Sequence, residues 1–432
     1  MRVLYLVPGS GGTFYCQNCL RDLALVRAMR ALGHDAVVAP LYLPMYGDDL
    51  EESARAPLFF GGVNVFLRES FPVYRKAPRW LEQLLDNPWM LARAAEREGS
   101  TNAVELGPMT LSMLRALDGG QRREYERFLA WLRGWGRPDI IHISNALLLG
   151  FVPAIREASN VPLVCSLQDE EPWVNAMRSP YDRLCWEAMA RDAARVHAFV
   201  STSRWYADRM AVRLAVPRDR IAVVYPGVDA GGVRPPGERT GPPVIGYLAR
   251  LSESLGLGKL VDAFIRLRHT PECSDARLLA TGGVTTSDAS YVDAMERRLR
   301  GLGLDSAAEL HRDFKSEDIG RFYAGISVLS VPVPGGEAFS LPLLEAMARG
   351  IPVVQPAAGA YPEIVEATGG GMICEDSEDA LADALRMVLR DRTLARALSE
   401  RGRKSVSSLF TLERSARDMT AVYDAVLKDM GP

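Results

Sequence analysis

Between Pro334 and Pro352 the chain reads Gly335-Gly336-Glu337-Ala338-Phe339-Ser340-Leu341-Pro342-Leu343-Leu344-Glu345-Ala346-Met347-Ala348-Arg349-Gly350-Ile351. An apolar run over residues 326–333 precedes this stretch and predicts a buried parallel strand. Behind the glycines, Leu341, Leu344, Ala348 and Ile351 recur at helical spacing. The pattern is therefore strand, glycine turn and helix, the repeating unit of α/β folds.

Two glutamates lie in this unit, Glu337 on the turn and Glu345 on the helix. The start of a helix leaves backbone N–H groups without intrahelical partners and carries partial positive charge, which suits a phosphate. Carboxylates beside such a phosphate cradle can bind the hydroxyls of a sugar. We therefore predict a sugar-phosphate site here, although two glutamates at this spacing would also fit an ordinary solvated helix.

Length and composition set the class of protein. The 432 residues are 48% hydrophobic, enough for two domains with a core each. The net charge is −3, with 51 basic and 54 acidic residues mixed along the chain, so no nucleic-acid partner is indicated.

The N-terminal apolar run, residues 3–7, is short and breaks at Pro8-Gly9, so it predicts a first strand rather than a signal peptide. No later run has membrane-spanning length. Six cysteines, with only Cys16 and Cys19 close together, predict reduced thiols rather than a disulfide framework. We therefore expect a cytoplasmic protein, with a place at the inner face of the membrane left open.

The N-terminal half alternates strands and helices, beginning with strand 2–7, helix 20–32 and strand 35–40. Residues 43–120 are less regular, with a strand or hairpin at 59–67 and helical stretches at 80–85, 89–95 and 109–117. We interpret them as an elaboration of the first domain that shapes a substrate site.

A domain boundary follows Pro226-Gly227-Val228-Asp229, because residues 230–243 are rich in Gly, Pro and charge and have no periodicity. A second α/β series follows. We predict an N-terminal domain over 1–229, a C-terminal domain over 230–410 and a terminal helix over 411–432 that packs back on the N-terminal domain. Two Rossmann-like halves place a ligand cleft at the carboxyl ends of two parallel sheets.

Several motifs now identify a family. The Glu337-to-Glu345 element continues as Glu345-Ala346-Met347-Ala348-Arg349-Gly350-Ile351-Pro352-Val353-Val354. It is accompanied by three further motifs, Gly359-Ala360-Tyr361-Pro362-Glu363-Ile364-Val365, Gly369-Gly370-Gly371 and Tyr225-Pro226-Gly227-Val228-Asp229. With these motifs the chain resembles a glycosyltransferase of the GT-B fold, in the large retaining family four. The N-terminal half matches only in its glycine turn, Gly33-His34 and its overall pattern.

The resemblance implies a nucleotide-diphosphate sugar donor, UDP- or GDP-linked, bound by the C-terminal domain without a metal or other cofactor. By position, Glu337 approaches the transferred sugar and Glu345 binds the ribose hydroxyls. Arg250 corresponds to the arginine that pairs with the diphosphate, where a fixed guanidinium meets the charge that develops on the leaving group. The resemblance also implies donor contacts in the turn and helix start, at Ala338, Phe339, Ser340 and Leu341. The glycine turn at Gly11 and Gly12 would let backbone approach the donor phosphates or the acceptor without a Cβ in the way.

The sequence departs from the family pattern at three places. Leu255 stands where members usually have a second phosphate-binding lysine, and Lys259, one helical turn later, is the nearest substitute. Ser144 stands where a site histidine often follows the strand over 139–143, and His142 lies two residues earlier on the same strand face. Ser340 replaces a common glycine. We keep Lys259 as a catalytic candidate and His142 and Ser144 as candidates on the acceptor side.

Other patterns have competing interpretations. Arg250 alone would fit a surface ion pair. Asp169-Glu170-Glu171 follows a predicted strand and fits either acceptance of a proton from the acceptor, with Asp169 as candidate, or plain solvation.

Three further patterns bear on metal, membrane and NAD binding. Cys16-Gln17-Asn18-Cys19 opens a helix where thiol pKa values fall, which would suit metal or disulfide chemistry, but no second ligand pair accompanies it. An aromatic and aliphatic stretch over 74–98 suits domain packing or contact with a membrane surface. The first glycine turn lacks the Gly-x-Gly-x-x-Gly spacing and the later acidic residue of an NAD site.

The predicted function is retaining transfer of a sugar to an unidentified glycan, lipid or small-molecule acceptor held by the N-terminal domain. The sequence leaves two alternatives, a protein that binds a nucleotide sugar or glycan without transfer, and a sugar-nucleotide epimerase on the same fold. It does not predict the donor base, the sugar, the acceptor or the oligomeric state.

Overall fold

A computed structural model describes residues 1–9, 17–41, 103–119, 121–229, 241–315 and 318–431. Contacts within the chain divide them into two units. The N-terminal unit holds the described residues up to Tyr225 except Gln17, together with the segment from Ser415 onward. The C-terminal unit holds Gln17 and the described part of Pro226–Arg414.

The N-terminal unit contains a six-stranded parallel sheet. Its strands are β1 Arg2–Val7, β2 Asp35–Pro40, β3 Ile140–Ile143, β4 Leu163–Leu167, β5 Ala198–Ser201 and β6 Ile221–Val223, in the spatial order β2-β1-β3-β4-β5-β6. The α-helices described in this part are α1 Gln17–Ala31, α2 Ala103–Leu114, α3 Arg122–Trp135, α4 Phe151–Ala158, α5 Glu170–Asn175, α6 Tyr181–Ala193 and α7 Arg204–Arg213. Every residue of β3 and β4 is buried, as their mostly apolar sequences predict for strands covered on both faces.

The C-terminal unit repeats this architecture. Its strands are β7 Val244–Leu248, β8 Arg277–Thr281, β9 Ala308–His311, β10 Val328–Leu329, β11 Val353–Pro356 and β12 Gly371–Cys374, all parallel, in the order β12-β11-β10-β7-β8-β9. Its helices are α8 Leu257–Arg268, α9 Ala289–Gly301, α10 Ile319–Gly325, α11 Leu341–Ala348, α12 Tyr361–Thr368, α13 Glu378–Arg390 and α14 Arg392–Leu409. Because β10 and β7 are neighbours, the turn after each lies at the same edge of the sheet.

The last helix, α15 Leu412–Asp429, supplies Ala416, Met419, Tyr423 and Val426 to the core cluster that contains β1 and α1. These four residues recur at helical spacing and form the apolar face of α15. The chain therefore returns to the N-terminal unit at its end. At the passage out of the C-terminal unit, the amide of Val228 donates to the carbonyl of Phe410 at 2.8 Å, and Val228 pairs with Thr411.

The alternation of strands and helices that the sequence predicts is present, with local differences. The strand expected within residues 326–333 is only Val328–Leu329, and two helices, Glu170–Asn175 and Arg392–Leu409, were not expected. The elements expected at 59–67, 80–85 and 89–95 lie outside the described residues, as do Cys16, Gly11 and Gly12. The elaboration expected over 43–120 is described only from residue 103 on.

In the part of the chain that the structure describes, no helix combines the length and the apolar character that crossing a membrane requires.

Candidate active site

Glu337 lies on a turn whose backbone is fixed by two glycines. Gly336 has φ +78°, and a Cβ added there would lie 2.2 Å from the amide nitrogen of Gly359. The amide of Ala360 donates to the carbonyl of Glu337 at 3.0 Å. Since a side chain at Gly336 would collide with backbone, this close approach requires glycine and sets where the glutamate leaves the chain.

The carboxylate of Glu337 is almost buried, at 8% exposure. The hydroxyl of the fully buried Tyr361 lies 3.1 Å from Oε2 of Glu337 and 2.9 Å from the carbonyl oxygen of Val331. Burial of a carboxylate is costly unless hydrogen bonds compensate. A buried glutamate on a glycine turn is therefore a costly arrangement of the kind that functional sites retain.

Helix α11 begins immediately after this turn, with Ser340 as its N-cap and Pro342 in its first turn. The side chains of Ala338, Phe339 and Leu341 are buried. The amide of Leu341 donates to Oε1 of Gln17 at 3.2 Å. The hydroxyl of Ser340 is fully buried and, within the described residues, makes no hydrogen bond.

Glu345 lies one helical turn into α11 and is held by Tyr323 of α10. The tyrosine hydroxyl donates to Oε2 of Glu345 at 2.7 Å, and the guanidinium of Arg349 lies 4.5 Å from the centre of the tyrosine ring. Burial raises the pKa of the Glu345 carboxyl, whereas the Tyr323 hydrogen bond and the charge of Arg349 lower it. The second glutamate of the element thus has a fixed orientation.

Arg250 follows β7, and both its backbone and its side chain have defined partners. The hydroxyl of the fully buried Tyr247 lies 3.1 Å from the carbonyl oxygen of Arg250 and 3.0 Å from that of Leu255, so it spans the turn after β7. The guanidinium forms an ion pair with Asp288, with 3.3 Å between Nε and Oδ2. Burial and the charge of Glu337 raise the pKa of the Tyr247 hydroxyl, while the charge of Arg250 lowers it. Tyr247 therefore lies within electrostatic reach of both predicted catalytic residues.

Lys259, on the first turn of α8, has a different partner. Its ammonium forms an ion pair with Asp376, two residues after the end of β12, and its side chain is 14% exposed. The charge that was expected to substitute for the missing lysine at Leu255 is thus matched by a carboxylate. A phosphate-binding role of Lys259 stays a prediction, and its ion pair argues against that role.

The acceptor-side candidate His142 is fully buried in the N-terminal unit. Its Nε2 lies 2.8 Å from Oγ of Ser166, its Nδ1 lies 2.7 Å from the hydroxyl of Tyr423, and its ring stacks on Tyr5 at 4.3 Å between centroids. Burial and the charge of Arg21 lower its pKa to about 3, so the imidazole is neutral near pH 7. Both ring nitrogens therefore have protein partners, and an acceptor contact of His142 stays a prediction.

Ser144 is also fully buried, immediately after β3, and within the described part of the chain its hydroxyl has no hydrogen-bond partner. Its amide donates to the carbonyl of Leu6 at 2.9 Å. A buried hydroxyl without a protein partner is unusual and leaves Ser144 as an acceptor-side candidate.

The three acidic residues that the sequence could not separate have different roles in the structure. Glu170 accepts from the amides of Ala146 and Gln168, each at 2.8 Å, and from the hydroxyl of Tyr206 at 2.7 Å. Its carboxylate thereby holds the turns after β3 and β4 and the first turns of α7 together. Burial raises the pKa of Glu170, against the lowering effect of these hydrogen bonds.

The two residues beside Glu170, Glu171 and Asp169, have different surroundings. Glu171 binds the guanidinium groups of Arg209 and Arg213 at 2.7 to 3.0 Å, and although burial raises its pKa, these hydrogen bonds lower it overall. Asp169 is half-buried and has a left-handed backbone, with φ 56° and ψ 32°. Strained non-glycine residues concentrate at functional sites, so Asp169 remains the acceptor-side candidate of the three.

Sequence reasoning missed four residues that support the site, namely Tyr247, Asp288, Tyr323 and Tyr361. Tyrosines in otherwise apolar strand and helix sequences were the one available signal, since a buried phenol usually needs a hydrogen-bond partner.

Known proteins supply an independent comparison. The family described as "Glycosyl transferases group 1" matches residues 233–405, and "Glycosyltransferase Family 4" matches residues 89–231. The lipopolysaccharide core biosynthesis mannosyltransferase LpsB of Rhizobium meliloti is 28% identical over 249 residues, which are 54% of this chain and 67% of LpsB. A D-inositol 3-phosphate glycosyltransferase of Nocardioides sp. is 28% identical over 319 residues, 67% of each chain.

Among solved structures, sucrose-phosphate synthase from Thermosynechococcus elongatus superposes with a TM-score of 0.72 at 19% identity, covering 99% of this chain and 100% of the other. HepE of Anabaena, in complex with UDP-glucose, gives a TM-score of 0.69 at 17% identity, covering 98% and 100%. At these identities the structures show the fold alone, and that fold is GT-B.

Proposed function

Since the chain belongs to the family-four, group-1 glycosyltransferases of the GT-B fold, we propose that it transfers a sugar from a nucleotide-diphosphate donor with retention of configuration. The observation that carries this proposal is that Glu337 follows β10 and Arg250 follows β7, two neighbouring parallel strands that end at the same edge of the C-terminal sheet. A buried carboxylate suits the hydroxyls of the transferred sugar, and a guanidinium suits its leaving diphosphate.

The proposed chemistry needs no nucleophile from the protein. The bond between the anomeric carbon and the diphosphate oxygen breaks, negative charge grows on the leaving phosphate, and the acceptor hydroxyl adds on the same face. Its proton passes to the departing phosphate oxygen. Arg250 and the backbone amides from Phe339 to Leu341 would stabilise that charge more in the transition state than in the ground state. We propose that this makes a metal unnecessary.

Glu345 would bind the ribose hydroxyls, with Tyr323 fixing its carboxylate. The acceptor, whether glycan, lipid or small molecule, would bind the N-terminal unit near the ends of β3 and β4, where Ser144 and Asp169 lie. HepE was solved in complex with UDP and with UDP-glucose, which supports UDP-linked sugars as the first donors to test.

A donor panel tests the proposal. UDP- and GDP-linked sugars are incubated with and without candidate acceptors and with EDTA in parallel, and mass spectrometry follows both sugar products and released nucleoside diphosphate. We expect one donor to release its diphosphate in EDTA as fast as without it. Binding without any release would favour a nucleotide-sugar binding role, and a new sugar nucleotide formed without an acceptor would favour epimerisation.

Tyr323→Phe should weaken binding of the nucleoside diphosphate by about tenfold, because a hydrogen bond to a charged carboxylate contributes about 1.5–3 kcal/mol. The loss arises because Glu345 is no longer held in the orientation that binds ribose. Calorimetry with UDP and GDP measures it, with the same titration repeated using ribose-free pyrophosphate. Unchanged nucleotide affinity would show that Glu345 does not bind the ribose.

Lys259→Met should change kcat/KM less than about threefold, because the Asp376 carboxylate already neutralises the ammonium and leaves it little attraction for a phosphate. Asp376→Asn serves as the matched variant for the other side of the pair. Initial rates of diphosphate release at limiting donor provide the comparison. A loss of 100-fold or more in Lys259→Met alone would restore the lysine to the phosphate site.

A further inference from the structure

The ion pair between Arg250 and Asp288 is built into the ends of two neighbouring strands. Arg250 follows β7 and Asp288 follows β8, and the two strands pair along their whole length. The side chains are 26% and 18% exposed, so their interaction is less screened by water than a surface pair. The pair lies at the carboxyl edge of the C-terminal sheet, where ligands of such sheets bind.

Each partner is fixed by its own contacts. The hydroxyl of Thr285 donates to Oδ2 of Asp288 at 2.5 Å, and the amide of Asp288 donates to the carbonyl of Thr285 at 3.0 Å. On the other side, the amide of Leu251 donates to the carbonyl of Gly283 at 2.9 Å, and Tyr247 holds the Arg250 carbonyl. The backbone of Arg250 and the carboxylate of Asp288 are thus both held in place, and the guanidinium, 26% exposed, lies against a fixed carboxylate.

The ion pair with Asp288 reduces the positive charge that Arg250 offers to a phosphate. Leu255 stands where a lysine would add a second positive charge, and Asp288 sets a negative charge against the remaining arginine. A carboxylate beside a guanidinium weakens its attraction for a bound diphosphate but also fixes the plane of its donors. The carboxylate opposes the phosphate charge in the ground state and in the transition state alike, so its benefit to turnover lies in the fixed orientation of the guanidinium.

We propose that Asp288 is a positioning residue for Arg250, which orients the guanidinium toward the diphosphate and weakens ground-state binding of that group. The inference rests on the proposed role of Arg250 in donor binding. Asp288 lies outside the Glu337-to-Glu345 element, and its loss is expected to raise the affinity for the diphosphate while lowering kcat.

Two substitutions of Asp288 test the two parts of this role. Asp288→Asn removes the charge and keeps a side-chain oxygen beside the arginine, so it should bind UDP or GDP about tenfold more tightly while kcat stays within about threefold. Asp288→Ala removes the charge and the side-chain oxygen, so the variant should also bind the diphosphate more tightly. Its kcat at saturating donor should fall by at least about tenfold, because the guanidinium is no longer oriented. Affinity for the nucleoside alone, uridine or guanosine, should be unchanged in both.

Asp293→Asn is the matched control, because Asp293 lies on the same helix, α9, and its partner is the more exposed Arg312. That variant should bind and turn over donor like the unmodified chain. A diphosphate affinity of Asp288→Asn at or below that of the unmodified chain would overturn the inference, as would an unchanged kcat in Asp288→Ala. Those two outcomes would leave the proposed function intact. If the unmodified chain binds neither UDP nor GDP, both the inference and the proposed function are wrong.

Discussion

Replacing Glu337 with glutamine should lower kcat/KM for sugar transfer by about 10³-fold or more and leave the fold intact. The amide keeps the shape of the carboxylate and an oxygen for the Tyr361 hydroxyl, but loses the charge that binds sugar hydroxyls most strongly in the transition state. Glu337→Ala should abolish transfer altogether. Initial rates of diphosphate release measure the effect, and thermal unfolding confirms that the variants remain folded.

The matched control is Glu366→Gln on helix α12, an exposed position where the same change removes the same charge. It should retain full activity. Transfer by Glu337→Ala at the rate of the unmodified chain would contradict the assignment of the site.

Arg250→Lys should lower kcat by about 100- to 1000-fold, the range found when one preorganised donor is removed from developing charge. Lysine keeps the positive charge but lacks the planar fork that binds Asp288 through Nε. The defect should appear mainly in kcat, because the diphosphate gains charge as the sugar leaves. Steady-state rates over a range of donor concentrations separate kcat from KM.

Arg277→Lys is the control for this substitution, since Arg277 begins β8 and forms a half-exposed ion pair with Glu309. It should have normal kinetics. If Arg250→Lys instead raises KM alone, Arg250 contributes only to ground-state binding, and the leaving-group role is wrong.

Much of the fold could be predicted because parallel strands covered on both faces are continuous apolar runs, and these runs are visible in the sequence. Helix Arg392–Leu409 was missed because it buries little, with Leu398, Gly402 and Val406 as its buried residues. Three buried residues in an 18-residue helix, one of them a glycine, form an apolar stripe too narrow to distinguish a helix from a polar connection.

The glutamates of the candidate site could be predicted because one short element contains both. Their supporting tyrosines could not, since Tyr361 and Tyr323 meet Glu337 and Glu345 across 24 and 22 residues by tertiary packing. His142 shows the same limit. Strand period two placed it on the face of Ser144, but nothing local indicates that Tyr423, 281 residues away, binds its ring.

Retaining transfer from a nucleotide-diphosphate sugar fixes the anomeric configuration of the product, so that configuration is the decisive measurement. With the donor and acceptor identified by the panel, proton NMR follows the anomeric signal of the first product during the reaction. We expect a product with the same configuration as the donor. A product of inverted configuration would contradict the proposed same-face mechanism.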